Sequence, residues 1–164
     1  MTTILDPLHL PLHGSRLIEA SAGTGKTWTI AALYLRLILG HGAEGERFAR
    51  ALLPEDILVM TFTRAATQEL KERIRDRLQS AARYFLGSDH ATPPDPFLET
   101  LLADYSSPKT RAQAAHKLVL AADAMDDSAI FTIDAWCQRT LREHAFATGS
   151  DFRETLLLDE TDLR

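Results

Sequence analysis

The sequence predicts an α/β fold, a parallel sheet flanked by helices, on two observations. Short apolar runs alternate with segments of helical period, and three of those runs hand over directly to a helix with no hairpin turn between them. Strands followed in this way are parallel and joined by right-handed crossovers. Neither an internal repeat nor a low-complexity tract interrupts the pattern, and 164 residues with 45% apolar content suffice for one ordinary core.

Residues 16–20 form the first strand candidate. Residues 26–39 follow as a helix that is apolar almost all round, stopped by Gly40 and Gly42. A helix so apolar is expected to be sandwiched against a sheet. After a polar connector at residues 41–50, ILVMTF at residues 57–62 reads as the clearest buried strand, its start marked by Pro54. From Arg64 the positions Leu70, Ile74, Leu78, Ala81 and Phe85 recur at helical spacing, and Thr63 is placed to cap the first turn.

Residues 87–96 (GSDHATPPDP) are the most turn-rich segment and open a stretch without strand signal up to Asp127. Two helices fit there, because Asp95 before Pro96 and Ser107 before Pro108 each join a good N-cap to proline at the first helical position. Residues 87–127 thus read as a helical insertion that could be lost without breaking the sheet. AIFTI at residues 129–133 is the third strand candidate and runs into a helix from about Ala135 to Ala147, ended by Gly149.

Composition excludes several classes. The richest apolar run, residues 30–39, is interrupted by Arg36 and falls short of the ~18 to 20 residues needed to cross a bilayer. The N-terminus has no basic lead, apolar block or cleavage site, so the cytoplasm is expected, with no membrane partner. The single cysteine, Cys137, can form neither an internal disulfide nor a zinc site and reads as a core residue. A net charge of -5 argues mildly against nucleic acid. One stretch runs the other way: between Arg64 and Arg83 six basic residues face three acidic ones, and Glu69 with Arg73 and Glu72 with Arg75 stand at ion-pairing spacings, as on a solvated helix face.

The chemistry is concentrated in EASAGTGKTWT at residues 19–29. A loop between strand and helix that wraps phosphates with backbone N–H groups needs small residues, here Ala20, Ser21, Ala22, Gly23, Thr24 and Gly25. Lys26 then supplies a point charge to the β and γ phosphates, the Thr27 hydroxyl serves as a magnesium ligand, and the positive end of the following helix faces the anion. Lys26 and Thr27 are the catalytic candidates, and Mg2+ with a nucleoside triphosphate is the implied cofactor. The usual P-loop has glycine where Ala20 stands. With no asparagine in the chain, the Asn-Lys-x-Asp motif that selects guanine in many GTPases cannot exist, which favours ATP.

Three blocks in this order resemble the UvrD/Rep group of superfamily 1 helicases. Residues 19–29 resemble motif I in the spelling of the RecB branch. ILVMTFTRAATQELKERI at residues 57–74 resembles motif Ia, and IFTIDAWCQRTL at residues 130–141 resembles motif Ib, with Cys137 to Arg139 again in the RecB manner. Asp134 stands where the group has histidine and suits a helix cap. The resemblance implies a P-loop NTPase sheet of the RecA-like kind, incomplete, with residues 1–164 as the N-terminal part of the first motor domain.

It implies DNA contact by Thr61, Phe62, Thr63 and Arg64, with Phe62 as a stacking platform and Thr63 divided between cap and phosphate donor. For Trp136 the core is the expected place. The resemblance also implies that the remaining catalytic acids, an arginine finger, a second motor domain and a nuclease follow Arg164. The whole would act on single- and double-stranded DNA beside RecC-like and RecD-like subunits. LLLDE at residues 156–160 imitates an acidic magnesium motif, but Glu160 is followed by Thr161, so Asp159 is expected to lie away from Thr27.

Three other readings fit parts of the chain. A small-molecule P-loop kinase explains the loop equally well but not Thr61 to Ala66, and Arg111 is the only arginine between Gly87 and Asp127 to serve a lid. A relative of AddA or UvrD shares the helicase motifs. An interaction module would keep the loop without using it.

Overall fold

The computed structural model describes residues 5–21, 23, 25–88 and 95–144. Among them are five α-helices and one two-stranded sheet: α1 Lys26–Leu39, β1 Val59–Thr61, α2 Arg64–Phe85, α3 Pro96–Ala103, α4 Pro108–Asp123, β2 Ile130–Thr132 and α5 Ile133–Glu143. β1 and β2 are parallel, with Val59 opposite Ile130, Met60 opposite Phe131 and Thr61 opposite Thr132. The class is α/β, and two of the three strand-to-helix handovers are present.

Residues 16–20 are not a strand. They run without regular structure, and Leu17 is 86% exposed. An extended segment is held as a strand only where a neighbour takes up its N–H and C=O groups, and no described strand lies alongside it. β1 is likewise shorter than the apolar run that contains it. Ile57 is buried while Leu58 and Met60 are exposed, so one face of this strand is covered, not both.

α1 also departs from expectation, since it packs chiefly on α2 and α4 and not against the sheet. Its Ala31, Ala32, Tyr34, Leu35 and Ile38 meet Leu70, Ile74 and Leu78 of α2 and Ala114, Leu118 and Ala121 of α4 in one core cluster. α3 adds Phe97, Leu98 and Leu101. The helices of the 95–127 stretch are therefore built into the core, and without them α1 and α2 would expose apolar faces. Arg36, inside α1, is fully buried and donates to the Pro7 carbonyl at 2.7 Å and the Leu10 carbonyl at 2.8 Å. Burial lowers its proton affinity against the pull of Glu46 and Asp6.

Capping follows the sequence closely. Thr63 accepts from the Ala66 amide, Asp95 from those of Phe97 and Leu98, and Ser107 from that of Thr110. α5 differs, because Thr132 caps it by accepting from the Ala135 amide, while Asp134 sits in the first turn, where its charge favours the helix dipole. α5 carries no buried residue: Trp136 is only half-buried and Cys137 is exposed, so neither belongs to the core. Residue type alone places both inside, but among the described residues this helix packs chiefly on the short strands β1 and β2. The predicted helix end at Ala147 and Gly149, and Asp159, fall outside the described residues.

α1 ends on Gly40 with φ +66°, whose amide reaches back toward the carbonyls of Arg36 and Leu37. A Cβ there would lie 3.2 Å from Ala51. Gly40→Ala is expected to lower stability by about 1–2 kcal/mol, the cost of a left-handed non-glycine residue. Urea unfolding followed by circular dichroism checks this, and an unchanged midpoint would contradict the fit.

Candidate nucleotide and nucleic-acid site

The loop before α1 is exposed at Ala20, Ser21, Gly23, Gly25 and Lys26. Ala22 and Thr24 lie outside the described residues. Gly25 is the N-cap of α1 and takes φ +82°, a conformation that L side chains rarely adopt, and its carbonyl accepts from the Thr29 amide at 2.8 Å. Among the described residues nothing stands within 4 Å of a Cβ added at Gly25, so the glycine answers a backbone requirement and not a lack of room.

Among the described residues no side chain caps α1, and its first turn holds no acidic residue. By contrast, α2, α3, α4 and α5 each have a side chain bonded to their first-turn amides. The amides of the α1 first turn and the positive end of the helix are thus left for an anion. Lys26 belongs to that turn. Its Nζ donates to the Ser21 carbonyl at 2.5 Å and the Ala20 carbonyl at 3.1 Å, which holds the ammonium over the loop. A phosphate would compete with those carbonyls for the same charge.

Thr27 is half-buried and borders a cleft of about 430 Å³ between α1 and α2, with Trp28, Arg73 and Arg77 in its walls. Among the described residues no group of three or more acids, histidines or cysteines could hold a metal. A single hydroxyl ligand nevertheless suits magnesium, which keeps several waters and takes phosphate oxygens as its other ligands.

The second candidate segment lies where β1 passes into α2. Phe62 is 88% exposed, which rules out the core as its place. The Thr61 hydroxyl donates to the Thr63 carbonyl at 3.2 Å and lies 2.6 Å from the Thr67 hydroxyl. Thr63 caps α2, and Arg64 stands exposed beside it.

Two arginines of the basic run along α2, Arg75 and Arg77, are engaged in tertiary contacts. Arg73 faces Glu69 at 3.9 Å as its spacing predicts, but Arg75 reaches Asp126 at 2.6 Å and the Ala122 carbonyl instead of Glu72, which accepts from Gln68. Arg77 pairs with Asp95, and the hydrogen bond and charge of Arg77 hold that carboxyl below its usual range although burial alone would raise it. Sequence reasoning missed Trp28 and Arg77 as neighbours of Thr27 and Phe97 beside them. Trp28 directly after the loop was the one linear cue.

Comparison with known proteins identifies the family of the chain. The family described as UvrD/REP helicase N-terminal domain matches residues 3–164. The RecBCD enzyme subunit RecB of Escherichia coli K12 is 51% identical over 160 residues, covering 98% of this chain and 13% of that protein. The same subunit from Haemophilus influenzae is 43% identical over 167 residues, with 99% and 13% covered, and that of Mycolicibacterium smegmatis 35% over 161 residues, with 98% and 13% covered. This chain therefore spans 13% of the length of these relatives.

Proposed function

Because the chain belongs to the UvrD/REP helicase N-terminal domain family, we propose that it is the ATP-binding front of the first motor domain of a RecB-type DNA helicase. The kinase reading has no support from a family match of this extent. The carrying observation is the α1 terminus, where a left-handed Gly25 leads into a helix without a side-chain cap and Lys26 lies over the loop. In the proposed site the loop amides from Ala20 to Gly25 cradle the phosphates, Lys26 binds the β and γ oxygens, and Thr27 supplies one oxygen to Mg2+. The helices of residues 87–127 form an insertion within that domain.

In the whole protein this front would act with a second motor domain and a nuclease on double-strand breaks, in company with RecC-like and RecD-like subunits. None of the described helices is long and apolar enough to cross a membrane.

Single-stranded DNA lies, in this reading, across Thr61, Phe62, Thr63 and Arg64. Phe62 offers an open ring for base stacking, and Arg64 with the α2 terminus offers charge to phosphate. Binding to a fluorescent oligonucleotide should weaken steeply with salt. Arg64→Glu should reduce it alike for all sequences, since a phosphate contact carries no base information. Anisotropy titrations that are flat in salt, or indifferent to the reversal, would remove this surface from consideration.

A further inference from the structure

Arg77 lies midway along α2 with its guanidinium carbon 5.5 Å from the centroid of Trp28 and 5.1 Å from that of Phe97. The two rings meet edge to face, 5.6 Å apart at 78°. Asp95, the N-cap of α3, accepts a hydrogen bond from Arg77 Nη1, whereas Nε and Nη2 are buried with no partner among the described residues. One side chain thereby joins α1, α2 and α3. Its contact on α1 is the residue next to Thr27.

Burying a guanidinium with two donors unmade costs stability, and an apolar side chain would fill the same space more cheaply. Arginine adds direction instead. A planar cation within reach of two rings and bonded to a carboxylate fixes how α2 is rotated against the first turn of α1, which a greasy contact would leave free to slide. α2 is one continuous helix of 22 residues, so what is fixed at Arg77 is carried to its start at Arg64. A triphosphate that draws Lys26 from the Ala20 and Ser21 carbonyls acts on the same turn that holds Trp28.

We propose that Arg77 is a positioning residue that, through Trp28, couples nucleotide occupancy at Lys26 and Thr27 to the single-stranded DNA affinity of the Thr61 to Arg64 end of α2. The inference rests on the nucleotide and DNA reading above. A coupling of this kind is a ratio of affinities and is the same read from either ligand.

The test measures anisotropy of a labelled oligo-dT with the 164-residue chain, with and without a saturating non-hydrolysable ATP analogue and Mg2+. Wild type should show a ratio of DNA affinities of about fivefold or more in one direction. Arg77→Met should bring the ratio to within about twofold of unity while each ligand still binds. Leu118→Ala, which empties core volume in α4 and removes neither the cation nor its rings, should lower the melting temperature and keep the wild-type ratio. If Arg77→Met fails to fold, Trp28→Leu decides, because Trp28 is 44% exposed and its loss leaves no core cavity. An unchanged ratio in the Arg77 or Trp28 variant, or a wild-type ratio of one with both ligands bound, overturns the inference alone. A wild type that binds no nucleotide overturns the functional reading and the inference with it.

Discussion

Lys26→Ala is expected to remove measurable Mg-ATP binding from this chain. The lysine contributes a charge-assisted hydrogen bond to phosphate oxygens, and losing one such contact costs about 2–3 kcal/mol, roughly 30- to 150-fold in affinity. Binding by a single exposed loop is weak to begin with, so that factor carries it below detection. Lys26 is exposed and, among the described residues, bonds only loop carbonyls, so its loss should move unfolding by no more than about 0.5 kcal/mol. Calorimetric titration of wild type and variant, with thermal melts of both, separates the two effects. Equal affinities would refute the assignment of the loop.

Leu118→Ala should cost about 2–5 kcal/mol, a large part of the stability of an ordinary domain. Leu118 is fully buried in α4, in the same core cluster as Leu35 of α1 and Ile74 and Leu78 of α2. The surrounding helices cannot close the gap without moving against one another, so both lost transfer energy and cavity enter the cost. Urea unfolding should show the loss as a lower midpoint at similar slope. A change under about 1 kcal/mol would mean that α4 is a detachable flap, as the linear pattern of residues 87–127 suggested.

The helices were legible because their signals are local. Lys26–Leu39, bounded by the loop glycines and by Gly40, is the expected residues 26–39, and Thr63, Asp95 and Ser107 each cap the helix that their position announced. A cap needs only its own residue and the next three amides. The turn into α1 at Gly25 was legible for the same reason, since it too is set by neighbours in the chain. Asp134 shows the limit: two suitable caps stood two residues apart, and the strand end chose Thr132.

By itself, then, the sequence determined the span of α1, the caps of α2, α3 and α4 and the family resemblance, all properties of neighbours in the chain. Only the tertiary structure decided which apolar runs are covered. Residues 16–20 carry a strand pattern, yet a strand exists only where another backbone lies within hydrogen-bond distance, and that partner is not written in the strand's own residues. Trp136 and Cys137 had the right chemistry for a core and stand on a helix with no buried residue. Arg75 left its near neighbour Glu72 for Asp126, 51 residues away, and Arg77 found Trp28, Phe97 and Asp95 on two other helices. Long side chains pair with whatever packing brings within about 4 Å, and packing is a property of the whole chain, not of its spacing.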